Sequence, residues 1–173
     1  IAVSIKEVRN VQVSIVGEIK VPGSYSLSAF STVLNSLYAA GGPTKNGTFR
    51  NISLFRSGQK VADFDFYDFI VNGSEAGNIT VQDQDVIIVK PYEKQITIEG
   101  AVKRPGLYEI KASETAADLL TYASGFVSNA YKENIVIERV NGKQKEIVEV
   151  PFKQLSDEKL KDGDLIRINR IVN

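Results

Sequence analysis

The sequence predicts an α+β protein built from two tandem copies of a small mixed sheet, each with one main helix. Three observations carry this. Gln12–Arg56 set against Gln95–Arg139, a gapless shift of 83 residues, leaves about a third of positions identical, far above the ~6% expected from ordinary residue usage. Each copy contains several short stretches of apolar and polar residues in alternation, bounded by Gly, Pro or Asn, the signature of half-buried strands. Each copy also contains a single stretch of helical period.

In the first copy Val11, Val13 and Ile15 alternate with polar residues and mark a strand. Val21-Pro22-Gly23 follows; Pro and then Gly at the turn centre suit a type II turn. Tyr25 and Leu27 begin the returning strand. Phe30, Val33, Leu34, Leu37 and Tyr38 recur at helical spacing, with Ser28 or Ser31 as the cap and Gly41-Gly42 as the stop. Ile52 and Leu54 form a third strand, Ser57-Gly58 a turn, and Val61, Phe64 and Phe66 a fourth. Val86–Val89 forms a fifth, entered through Asp83-Gln84-Asp85. The second copy repeats the order: Ile96 and Ile98, Arg104-Pro105-Gly106, Tyr108 and Ile110, then a helix capped by Ser113 and carrying Ala116, Leu119, Leu120 and Ala123. Ile135 and Ile137 lead into Asn141-Gly142, a type I′ hairpin signal. Ile147, Val148 and Val150 return, and Leu165–Ile168 closes the unit. One helix laid across a mixed sheet in this order is a β-grasp layout. The copies span 11–91 and 94–173, joined by Pro91-Tyr92-Glu93-Lys94, and residues 1–10 read as a further strand before them.

Composition narrows the chemistry. The chain has 173 residues, no His, no Cys and a mean hydropathy of −0.11. A Ser-His-Asp triad, a Cys nucleophile, a zinc finger and an iron–sulfur site are excluded. Lys plus Arg and Asp plus Glu are 21 each, with neither a basic excess nor a basic stripe, so nucleic acid is not an expected partner. The chain lacks Met and opens on the alternation Ile1, Val3, Ile5, so it reads as an excised segment or a processed product.

The phrase Val-Gly-Glu-Ile-Lys-Val-Pro-Gly-Ser-Tyr at 16–25, echoed as Glu-Gly-Ala-Val-Lys-Arg-Pro-Gly-Leu-Tyr at 99–108, resembles the opening of the soluble-ligand-binding β-grasp (SLBB) domain. Ala40-Gly41-Gly42 and the closing Leu-Lys-Asp-Gly-Asp-Leu-Ile at 160–166 fit the same pattern. Tandem SLBB domains resemble the periplasmic part of outer-membrane polysaccharide export proteins. The resemblance implies a non-enzymatic module forming part of a ring wall that passes capsule or exopolysaccharide. It implies a periplasmic location, attached to the outer membrane in the full-length parent. The partners it implies are polysaccharide, further copies of the parent and an inner-membrane polysaccharide co-polymerase. In that family a polysaccharide-export domain precedes the SLBB copies, and residues 1–10 resemble its last strand; the segment alone departs from a full member in lacking that domain, a lipidated Cys and a membrane-spanning end. It is therefore expected to be monomeric or weakly associated. The alternative is a module that binds a soluble small ligand or saccharide as sensor or adaptor, which predicts one concave apolar pocket with convergent polar groups.

Each candidate site also has a structural reading. Lys20, Tyr25, Lys103 and Tyr108 flank the Pro-Gly turns. The aromatic faces suit sugar stacking and the ammonium groups suit an acidic polymer, yet a Tyr at a strand start commonly serves the core. Asp83/Asp85 and Asp162/Asp164 have a spacing that calcium or acid/base chemistry uses, but their place before a strand reads as turn chemistry. Asp63, Asp65 and Asp68 alternate with Phe64, Phe66 and Phe69, a solvated face over a core rather than a metal site. No metal, cofactor or catalytic residue is expected. Four Asn-x-Ser/Thr triplets, from Asn46, Asn51, Asn72 and Asn78, are incidental in a bacterial protein of this kind.

Overall fold

The computed structural model describes Ile1 and residues 8–172, so most of the strand expected over 1–10 lies outside the described residues. The chain divides into two compact units, Ile1–Tyr92 and Glu93–Asn173. In the first, the order is β1 (Asn10–Gly17), β2 (Gly23–Ser28), α1 (Val33–Ala39), β3 (Gly47–Arg56), β4 (Gln59–Phe64), α2 (Phe66–Asn72) and β5 (Asp85–Pro91). The second contains β6 (Gln95–Gly100), β7 (Gly106–Glu109), α3 (Ala116–Tyr122), β8 (Asn134–Asn141), β9 (Gln144–Pro151), a 3-10 turn (Phe152–Gln154) and β10 (Leu165–Ile168). The sheets run β2-β1-β5-β3-β4 and β7-β6-β10-β8-β9. In each, the first and last strands of the unit pair in parallel and every other neighbour is antiparallel. The α+β reading and the duplication are both present.

Each unit has its own core. In the first, Val13, Ile15, Ile52, Leu54, Ile87 and Val89 point to one face, where Val33, Leu37 and Ala40 meet them. In the second the same places hold Ile96, Ile98, Ile135, Ile137, Ile166 and Ile168, covered by Ala116, Leu119 and Ala123. Each large aliphatic side chain so buried contributes roughly 1.5–3 kcal/mol. That matters because the helices α1 and α3, at seven residues each, are too short to persist without packing.

Several local expectations are corrected. Neither Ser28, Ser31 nor Ser113 caps a helix. Thr32 and Thr115 do, through reciprocal capping boxes in which Asn35 and Asp118 accept from the cap backbone at 2.9 and 2.8 Å. Phe30 thus precedes α1 rather than belonging to it. The Pro-Gly segments are not type II turns: Gly23 and Gly106 have φ of 158° and 155° and already begin strands. The preceding loops are instead tied to the helix ends, with Lys20 and Lys103 N–H donating to Gly42 and Gly125 C=O at 3.0 Å. Asn141 pairs with Gln144, so the loop is Gly142-Lys143, and only Gly142 has positive φ. That is the type II′ pattern; the type I′ pattern falls at Ser57-Gly58, where both φ values are positive.

The fourth strand stops at Phe64, and Asp63 and Asp65 do not share a solvated face. Asp65 caps α2, accepting from Tyr67 and Asp68 N–H, and takes two hydrogen bonds from the buried Arg50. Phe66 and Phe69 then stack with rings 6.1 Å apart. Gly17 and Gly100 are required by close approach: a Cβ there would fall 2.2 and 2.1 Å from the carbonyl oxygens of Val89 and Ile168.

Candidate functional site

The candidate contact residues sit at one corner of each unit, where the loop after the first strand meets the end of the helix. Lys20 and Lys103 are exposed. Tyr25 and Tyr108 are half-buried, with rings against the two cores. Their hydroxyls reach back four residues, Tyr25 donating to Val21 C=O and Tyr108 to Arg104 C=O, the latter at 2.6 Å. Burial raises the Tyr108 hydroxyl pKa and nearby Arg104 partly opposes this. Each corner therefore pairs a tyrosine engaged in holding its loop with a lysine whose side chain faces water.

The aspartate pairs behave as turn residues, and each member has its own task. Asp83 and Asp162 accept from the Gln12 and Gln95 backbone N–H at 2.8 Å. Asp85 and Asp164 are sealed inside, with side chains 0% and 1% exposed. Arg56 grips Asp85 through Nε and NH2 at 2.9 and 2.8 Å, and Arg139 grips Asp164 at 3.0 and 2.7 Å. These carboxylate hydrogen bonds hold both guanidinium groups more firmly protonated than usual, outweighing the opposing effect of burial. The same arginines donate to Thr80 and Lys159 C=O, lashing the segment before the last strand to the third strand.

These two clamps were missed from the sequence. The available signal was the same Arg at the end of the third strand in both copies. Among the described residues no group of three or more His, Cys, Asp or Glu could hold a metal ion, and no helix is long and apolar enough to cross a membrane. Unit 1 carries an apolar recess of about 70 Å3 and an open cleft of about 600 Å3 with Arg9, Gln82 and Asp83 on its walls. The cleft sets Val11, Ala29 and Val81 beside these polar groups but is open rather than enclosed, and the recess is wholly apolar.

Two five-stranded mixed sheets with matching clamps and corners define a duplicated α+β module. Residues 12–65 and 95–148 each match the SLBB domain, and the chain belongs to that family. Two curated relatives, both polysialic acid transport protein KpsD of Escherichia coli, are each 26% identical to it over 167 residues. The match takes in 96% of this chain and 29% of the relatives, so the chain spans less than a third of their length.

Proposed function

We propose that the two units are a non-enzymatic module of a polysaccharide export component, each unit a β-grasp domain. One observation carries this reading. The similarity to a polysialic acid transport protein runs through 96% of the chain, so the duplicated pair as a whole is what is shared, not one short motif. In this reading the units form part of a channel wall in the periplasm, attached to the outer membrane through the rest of the parent. Copies of the parent assemble with one another and meet an inner-membrane co-polymerase. Lys20 and Lys103 contact an acidic polymer, while Tyr25 and Tyr108 fix the loops that present them. The test is an in-frame removal of the two units in cells that make the protein. Surface polysaccharide is then expected to fall while the intracellular polymer accumulates. Unchanged surface polysaccharide would refute the reading.

A further inference from the structure

Unit 1 carries an apolar knob and an apolar hole whose residues differ in unit 2. The hole is the recess of about 70 Å3, bounded by Leu34, Leu37, Tyr38, Pro43, Phe49 and Phe66, with no polar atom in its exposed lining. The Phe49 and Phe66 rings stand 6.1 Å apart on its wall. Tyr38 is 66% exposed and Phe49 37%. The knob is Phe30, 77% exposed in the loop that leads into α1. A phenyl ring held in water forgoes one of the largest burial gains open to a side chain.

The repeat supplies the comparison. At a shift of 83 residues, Phe30 becomes Ser113, Tyr38 becomes Thr121, Pro43 becomes Phe126 and Phe49 becomes Lys132. Phe126 packs against the second core, and its ring lies 5.8 Å from that of Phe152. Phe152 opens the helical turn after β9 just as Phe66 opens α2 after β4. Unit 2 thus builds its ring pair from Phe126 and Phe152, where unit 1 uses Phe49 and Phe66, and has a serine where unit 1 has its knob. The knob and three residues that bound the hole change together between the copies.

We infer that the recess of unit 1 receives the Phe30 ring of a second copy of this chain. This deepens the assembly part of the function proposed above, on which it rests. The chemistry of the lining selects the occupant. A sugar placed there would find no partners for its hydroxyls, whereas a phenyl ring needs none. Phe30 is exposed, outside its own recess, and under the ring assembly of the proposed function the contact is heterologous. It runs head to tail and closes into a ring where the rotation permits. One ring in a socket buries far less than the ~1,200–2,000 Å2 of a stable complex. The contact therefore sets register, and on its own gives weak, concentration-dependent association.

Benzoyl-phenylalanine in place of Phe30 keeps an aromatic knob and cross-links when irradiated. The purified protein is expected to give intermolecular products that increase with concentration and map to Leu34, Tyr38, Phe49 or Phe66. The same group at position 113 is expected to give none above background. Phe49→Lys, which installs the unit 2 residue, is expected to lower the yield roughly tenfold with an unchanged circular dichroism spectrum. Tyr38→Thr makes the same test if Phe49→Lys unfolds. Products no more abundant than those from position 113, or mapped outside the recess, overturn the inference. Cross-linking on purified protein separates the two proposals: its failure leaves polysaccharide export standing, and unimpaired export in cells lacking the units leaves the socket standing.

Discussion

Arg139→Met is the sharpest test of what holds the second unit together. Asp164 has a side chain 1% exposed and accepts from Arg139 Nε and NH2 and from the Lys161 N–H at 2.9 Å. Removing the guanidinium leaves a carboxylate in the interior with the Lys161 backbone N–H still donating to it. Breaking a buried pair in this way costs about 3–5 kcal/mol. The apolar pair Arg139→Met with Asp164→Leu removes both charges and is expected to recover most of the loss, since well-packed apolar replacements of buried pairs are near neutral. In unit 1 the corresponding Arg56 is 28% exposed, against 11% for Arg139. Water can reach the gap there, so Arg56→Met is expected to cost less than Arg139→Met. Urea unfolding followed by far-ultraviolet circular dichroism measures all three variants beside the parent. A loss below about 1 kcal/mol for Arg139→Met, or a double variant as unstable as the single one, would refute the clamp argument.

Other outcomes follow from single residues. Gln84 holds φ at 67° where unit 2 has Gly163 at 84°; Gln84→Gly is expected to stabilise by about 0.5–1 kcal/mol and Gly163→Ala to destabilise by about 1 kcal/mol in urea titrations. Tyr108→Phe removes the bond to Arg104 C=O and is expected to cost about 0.5–1.5 kcal/mol. The Tyr108 pKa is raised in the fold, chiefly by burial, so its contribution is present below the ordinary value of 10.0 and is lost as pH rises through the folded value. The Phe variant should show a flatter alkaline limb. Burial raises the Asp63 pKa, but hydrogen bonds from Lys60 and Ser53, with the charges of Lys60 and Lys90, bring it below 3.8 overall. Its stabilising effect is therefore present above that value and lost as pH falls through the lower folded one. Asp63→Asn should weaken the acid dependence of stability measured below about pH 4.

Strand alternation and the repeat between Gln12–Arg56 and Gln95–Arg139 made the sheet layout legible, because period and duplication are local facts about the chain. The helix starts were misplaced because Ser28, Ser31 and Thr32 all offer a hydroxyl, and only the reciprocal bond from Asn35 selects Thr32. Val21-Pro22-Gly23 misled for a related reason. Proline fixes φ in a turn and in an extended loop alike, and the choice fell to the Lys20 and Val21 amides, which bond to the end of α1. Asp65 sits in an alternating Asp/Phe run that imitates a strand, and Arg50, 15 residues away, draws it inward. The clamps join residues 29 and 25 positions apart, beyond any local pattern.

Retention between the two copies separates architecture from recognition at the candidate corners. Tyr25 and Tyr108 recur because a half-buried ring with a hydroxyl reaching Val21 or Arg104 C=O fixes the loop. Lys20 and Lys103 recur without such a cause, since the bonds they make to Gly42 and Gly125 use the backbone N–H, which almost any residue provides. Under the proposed function, their exposed ammonium groups are the part of the corner that meets an acidic ligand. Lys20→Ala with Lys103→Ala is expected to change stability by less than about 0.5 kcal/mol while weakening the retention of an acidic oligosaccharide. The weakening should shrink as salt is raised, because screening removes the same attraction. Tyr25→Phe should do the reverse, lowering stability by about 0.5–1.5 kcal/mol with the lysine-dependent retention preserved. Affinity electrophoresis through gels containing the acidic polymer, run beside urea unfolding, reads both properties. A lysine variant that unfolds early, or that migrates like the parent at every salt concentration, would return the lysines to the scaffold.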